Sequence, residues 1–409
     1  MSATITVRIS DLGTVITGGT PPTKKREFYG QKVPLIKPTD MNLGQRYIGD
    51  TEESLSEIGI IKFKKKLVPA NTPCVVTIGT IGKSCLTKEL SLVNQAVNCI
   101  VVDREKYDYM YIYYLMQLTI PKVRALNSGT ASGRENVSKS AFESIEVDVL
   151  PLKEQMIVSG ILSSYDSLIE NNNRRIAILE EMAQSLYREW FVKLRFPEHG
   201  QSQMVESPLG LIPEGWEVKP LHDLACYLNR GIAPKYSDDA DQFVINQRCI
   251  RNFKLTLNNV RGNIKKVPED KIIQYGDVLV NSTGVGTLGR VAQVLIHDKN
   301  LTVDTHVTIL RPSNDINVEF WGTCLELLQP HFQRLGEGAT GQTELKRQLI
   351  GETKIIVPSL LLRDQFSTIT QSMKKQIQTL LHKNENLKKQ RDLLLPKLIS
   401  GQIDLSQAE

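Results

Sequence analysis

The chain has 409 residues, 41% of them apolar, which is enough for two or three domains with real cores. A net charge of +5 and a pI of about 8.7 permit a nucleic-acid partner without demanding one. Six scattered cysteines (Cys74, Cys85, Cys99, Cys226, Cys249, Cys324), with no C-x-x-C pair, read as buried thiols of a reducing cytoplasm; MSATITVRIS has no apolar signal core, and no stretch is long enough to cross a bilayer.

Residues 1–150 read as a mixed α+β domain of short strands and turns. ISDLGTVITGGTPPTKK opens with a short apolar run that Gly18, Gly19, Pro21 and Pro22 interrupt. Val33 to Lys37 is a short buried strand. IIKFKKKLVPANTPCVVTIGTIGKSCLT alternates strand, turn, strand, turn, strand, and VNQAVNCIVVD adds another. Tyr107 to Leu118 is a short aromatic helix. A Gly/Ser loop, a short helix and a strand complete the domain.

Pro151 to about Arg195 is a long helix. Ile157, Ile161, Tyr165, Leu168, Asn172, Ile176, Leu179, Ala183, Leu186 and Trp190 recur at steps of three and four, forming one stripe. At about 1.5 Å per residue it runs roughly 60 Å, too long for an ordinary core helix. A second stripe of similar length follows at the C-terminus: Phe366, Ile369, Met373, Ile377, Leu380, Asn384, Leu387, Leu394 and Leu398, with Arg391 as an exception. Asn172 and Asn384 sit at matching places, where a buried Asn can set register. The two helices pair as an intramolecular antiparallel coiled coil, or else each packs on its own domain.

Between them, residues 197–219 read as a Pro/Gly/Ser-rich linker, after which the first pattern returns. Asp11-Leu12 lies over Asp223-Leu224, Ile81-Gly82-Lys83 over Leu288-Gly289-Arg290, and Leu150-Pro151 over Val357-Pro358, at an offset of about 207 to 212 residues. The loop ALNSGTASGREN has its counterpart in RLGEGATGQTEL. The chain is therefore a domain plus a long helix written twice: residues 1–150, 151–196, then 220–357 and 358–409, with a pseudo-twofold relation between the copies.

Two equivalent domains on a rod suit two sites on duplex DNA. Candidate phosphate or base contacts in the first copy are Lys24, Lys25, Arg26, Lys64, Lys65, Lys83, Arg134 and Asn136. In the second they are Arg230, Lys235, Arg248, Arg251, Arg290, Gln342, Lys346 and Arg347. The alternative for any one of them is a solvated surface charge. Gly284-Val285-Gly286-Thr287-Leu288-Gly289 is a formal G-x-G-x-x-G, but RVAQVLI after it reads as a strand, so a tight turn is expected rather than a dinucleotide site. His306, within VDTHVTIL, is expected to be a satisfied core histidine. No methyltransferase or P-loop signature is present.

With these residues in view, LPLKEQMIVSGILSSYDSLIENNNRRI, LGLIPEGWEVKPLHDL and LLLPKLISGQIDL resemble the specificity subunit of type I restriction–modification systems. The resemblance spans essentially the whole chain. It implies two target recognition domains, each reading one half of a split DNA sequence, with the paired helices gauging the gap. It also implies that the chain is non-catalytic and docks two modification subunits and two restriction subunits. S-adenosylmethionine, ATP and Mg would then belong to those partners. One departure is the additional LLL between Pro358 and Arg363, so the two halves need not dock partners identically. A stand-alone enzyme using the glycine loop and a purely structural coiled-coil protein are the alternatives. DNA binding with and without a modification subunit separates the three.

Overall fold

A computed structural model describes residues 4–42, 44–127, 135–336, 344–403 and 405. The chain forms two compact units, Met1–Asn173 with Leu381–Glu409, and Arg174–Leu380.

The first unit is built on an antiparallel sheet of four strands in the order Gly13–Thr17, Val97–Val102, Pro73–Val76, Ser84–Leu86. Successive side chains of a strand point to opposite faces, and the sequence uses both. Val75 and Ile100 face a core shared with the aromatic helix Tyr109–Ala125, where Tyr111 and Tyr114 are fully buried. Cys74, Val76 and Cys99 face a second core with Ile36, Val68 and Val93. Those last three belong to a five-stranded sheet in which Val33–Ile36 runs parallel to Ser91–Val93. Ile5–Arg8 pairs with Glu146–Val149 beside the exit to the long helix.

The second unit repeats this order. Ala225–Arg230, Val307–Pro312, Val278–Asn281 and Val291–Gln293 form the four-stranded sheet, and Glu217–Pro220 pairs with Lys354–Val357. Gln242–Ile245 lies parallel to Leu301–Val303, now in a sheet of three. The place of the aromatic helix is taken by Val318–Leu327 and Gln329–Leu335, the latter opening with Pro330. The fold is mixed α/β, with the domain duplicated.

Four expectations change. IIKF is not a strand but part of the helix Glu57–Phe63, whose first turn is capped by Ser56 Oγ accepting from Gly59 N. The aromatic helix runs on to Ala125. The expected linker carries a hairpin, Met204–Ser207 with Gly210–Pro213, and Ile212 and Trp216 are buried in the second core. Cys226 is exposed, whereas the other five cysteines are buried.

The long helices are Leu152–Tyr187, followed by a π-turn at Arg188–Val192, and Leu360–Ile399. In the first unit, Asn172 Nδ2 donates to Asn384 Oδ1 at 2.8 Å and Arg391 Nη1 to Asp166 Oδ1 at 2.5 Å. In the second, Ile176 and Leu179 pack on Ile377 and Leu380, and Trp190 meets Phe366 edge-on. Advancing residues of one helix meet receding residues of the other, so the pair is antiparallel. Each helix also packs on a domain: Val158 and Leu162 in the first core, Leu362 and Phe366 in the second.

Among the expected seam residues Asn172, Leu380 and Asn384 are buried, and Ile161, Leu179, Leu186, Met373, Leu387 and Leu394 are half-buried. Leu168 is 52% exposed and Ile369 is exposed too. In the first half of the first helix the buried stripe lies one residue later, at Leu162, Asp166 and Ile169. That face must serve two neighbours at once. It meets the second helix through Arg391 and the aromatic helix through Tyr114, whose hydroxyl donates to Asp166 Oδ2 at 2.6 Å. Arg391 is thereby explained as the partner of a buried carboxylate.

Candidate nucleic-acid interface

In the second unit the glycine-rich stretch is the turn joining Val278–Asn281 to the antiparallel Val291–Gln293. The chain leaves this turn into a strand, not into the helix whose N-terminus a dinucleotide site sets on the pyrophosphate. Gly284, Gly286 and Gly289 adopt φ of +104°, +70° and +75°, and a Cβ on Gly289 would lie 2.6 Å from Gln333 N.

Four elements converge on this turn. Thr283 bridges Glu344 in antiparallel fashion, and Leu345 N donates to Ser282 O at 2.8 Å. Gln247 Nε2 donates to Thr283 O at 3.0 Å, which places the exposed Arg248 next to the turn. His306 is in the turn between Leu301–Val303 and Val307–Pro312, with Nδ1 2.8 Å from Thr283 Oγ1. It is exposed, not a core residue, because its turn lies at the end of the sheet. Burial raises the pKa of Asp304 in that same turn, against the pull of the His306 N–H on its carboxylate. Arg230, the last residue of its strand, pairs with Glu344 at 2.6 Å, and Arg347 Nη1 donates to Asn229 Oδ1 at 2.6 Å. Asn229, Arg230, Glu344, Lys346 and Arg347 line a cavity of about 270 Å³. Arg290 folds back, its Nη2 donating to Gly286 O at 2.8 Å.

The first unit repeats the arrangement with other side chains. Ile78 bridges Asn136, the counterpart of Thr283 with Glu344, and Gly79 N donates to Glu135 O at 2.9 Å. Lys83 Nζ donates to Pro38 O at 2.7 Å, so this lysine is half-buried and tied to the backbone. The other basic residues form a separate group. Phe28 and Phe63 meet edge-to-face at 6.1 Å, which brings Lys24, Lys25 and Arg26 beside the turn Lys64–Lys66. Lys25 and Arg26 lie over the rings of Phe28 and Tyr29 at 5.7 and 5.9 Å, while Lys24, Lys64 and Lys65 are exposed.

Lys235 and Arg251 belong to neither group. Lys235 N donates to Asn263 Oδ1, and Arg251 opens a tight hairpin closed by Lys254. Arg134 and Gln342 lie outside the described residues. Sequence reasoning missed Asn229, Thr283 and His306. Asn229 stood next to Arg230, but nothing in local spacing tied Thr283 to His306. Among the described residues no group of His, Cys, Asp or Glu could hold a metal ion, and no helix is long and apolar enough to cross a membrane.

Cations and amides set on braced backbone turns, built twice on the same sheet, are what a sequence-reading DNA-binding protein presents. The chain belongs to the type I restriction modification DNA specificity domain family, whose model matches residues 2–181 and again 213–392. It is a specificity subunit and not itself an enzyme. It is 25% identical over 409 residues to the type I restriction enzyme MjaIX specificity subunit of Methanocaldococcus jannaschii, covering 98% of this chain and 93% of that protein. Over 179 residues it is 32% identical to the HindI specificity subunit of Haemophilus influenzae, covering 42% of this chain and 38% of that protein. A solved type I restriction–modification S subunit from M. genitalium shares the fold, with a TM-score of 0.59 at 18% identity over 97% of this chain and 96% of that one.

Proposed function

We propose that each unit reads one half of a bipartite duplex DNA target. The recognition domains are residues 1–150 and 220–357, and the helices within 151–196 and 358–409 set the spacer and dock two methyltransferase subunits in the cytoplasm. Two translocase–nuclease subunits complete the restriction complex. S-adenosylmethionine, ATP and Mg are held by those partners.

The observation that carries this reading is the convergence of Arg230, Lys346 and Arg347 on the braced turn of the second unit, matched by Lys83 and Asn136 on the equivalent turn of the first. Cations there neutralise phosphates, and Arg347 and Asn136 have the donor groups for base edges.

The test is the methylome of cells expressing the chain with its modification subunit. Arg347→Ala is expected to cost about 1–3 kcal/mol at one base position, relaxing the half-site read by the second unit and leaving the other half intact. Inserting one heptad at matching points of both helices, about 10 Å of rise, is expected to lengthen the spacer with both halves unchanged. An unaltered motif in Arg347→Ala refutes the reading surface, and an unaltered spacer refutes the gauge.

A further inference from the structure

We infer that Val285 is a specificity-determining residue that contacts the 5-methyl group of a thymine in the half-site read by the second unit. Its side chain is 97% exposed. A lone exposed apolar residue is ordinary on a protein surface. This one differs in where it is held and how firmly.

Val285 and Gly286 are the two central residues of a β-turn closed by Thr287 N donating to Gly284 O at 3.1 Å. Gly286 takes φ +70°, the value such a turn requires at its third position. A Cβ on Gly284 would sit 2.3 Å from Thr287 Oγ1, so only glycine fits there. Leu288 N also reaches Gly284 O, and Gly289 N reaches Asn281 O at 2.8 Å. Side chains brace the turn from outside: Asn281 Nδ2 to Thr287 O, Gln247 Nε2 to Thr283 O, and Arg290 Nη2 to Gly286 O.

A turn this thoroughly hydrogen-bonded could end in Asn, Asp or Gly, the residues turns favour. It ends instead in a β-branched aliphatic side chain, which loses rotamer freedom and gains no burial in the free protein. Among the described residues a Cβ on the neighbouring Gly286 would meet nothing within 4 Å, which leaves the tip open to close approach. Thr283, at the base of the tip, bridges Glu344, which pairs with Arg230 beside Lys346 and Arg347; Arg230 and Lys346 are placed for phosphates and Arg347 for a base edge. Of the groups on a base edge in the major groove, the thymine methyl is the apolar one, and aliphatic side chains read it by contact. In the first unit the equivalent connection is two residues shorter, with Thr80 between Gly79 and Ile81 and Ile81 N donating to Gly79 O at 3.0 Å, so the two halves need not read the same base.

This inference rests on the second unit being a half-site reader, and the experiment separates the two. The full chain, assembled with its modification subunit, is measured for binding to duplexes carrying its methylated motif, with each thymine of the second half-site replaced in turn by deoxyuridine. Removing one buried methyl is expected to weaken wild-type binding about fourfold at a single position. Val285→Ala is expected to lose about tenfold on the thymine duplex and to be indifferent to deoxyuridine at that position. Co-purification of the variant with the modification subunit in the wild-type ratio, with an unchanged urea unfolding midpoint, shows that the chain is folded. The inference is overturned if every deoxyuridine duplex costs the wild type and Val285→Ala equally, or if the second half-site contains no thymine. If Arg347→Ala shifts the motif while Val285→Ala does not, only the role of Val285 falls. If neither does, the reading surface falls with it.

Discussion

Replacing Asp166 by alanine should be among the most damaging single changes in the first unit. The residue is 5% exposed, and its carboxylate accepts from Arg391 Nη1 at 2.5 Å and from Tyr114 Oη at 2.6 Å. Burial works against the charge of Arg391, and Asp166 more than offsets it, so the guanidinium pKa is raised. Removing one partner of a buried ion pair leaves the other charge uncompensated, at about 3–5 kcal/mol. Arg391 also reaches the exposed Asp392 at 2.8 Å, which places Asp166→Ala near the lower end of that range. A buried pair replaced by apolar residues of similar size is often neutral or better. Asp166→Leu with Arg391→Leu should therefore recover most of the loss, less about 1–3 kcal/mol for the stranded Tyr114 hydroxyl. Adding Tyr114→Phe should remove that remainder. Urea unfolding followed by hydrogen exchange localised to the first unit gives the ranking, since two units need not unfold in one step. The reasoning fails if Asp166→Ala is within about 1 kcal/mol of wild type, or if the triple variant is as unstable as the single one.

Two further outcomes follow from buried polar groups in the helices. Burial raises the Glu326 carboxyl to about 7, partly countered by Lys374. The native state therefore holds this proton where the unfolded chain has released it, and stability of the second unit should fall as pH rises from about 4.5 to 7. Glu326→Gln should flatten that slope in urea titrations across the window; an unchanged slope argues against the assignment. Asn384 accepts from Asn172 at 2.8 Å and donates to Asn173 Oδ1 at 2.9 Å. Asn384→Leu should cost about 1–3 kcal/mol by stranding the Asn172 amide, whereas the double change to leucine should restore stability while widening the range of spacers methylated. A double variant with an unaltered spacer would show that the register is set elsewhere.

The duplication, the two long helices and the short strands were legible in the sequence because each leaves a trace in local spacing. Steps of three and four, alternation along a strand and four ordered matches at one offset are properties of the chain's own geometry. The seam was legible only to within one residue. Periodicity places a stripe on a helix, but which stripe is buried depends on everything packed against it. Here the aromatic helix pulls the buried face from Leu168 to Asp166 and Ile169. IIKF read as a strand because four residues cannot separate the two periods, and the Ser56 cap with the Phe28–Phe63 contact decided for helix. The candidate interface was legible as a set of cations and not as a place. Lys24–Arg26 with Lys64–Lys66, and Arg230 with Arg347, are neighbours only because strands return and loops close, and that long-range pairing leaves no mark on the spacing of residues within either segment.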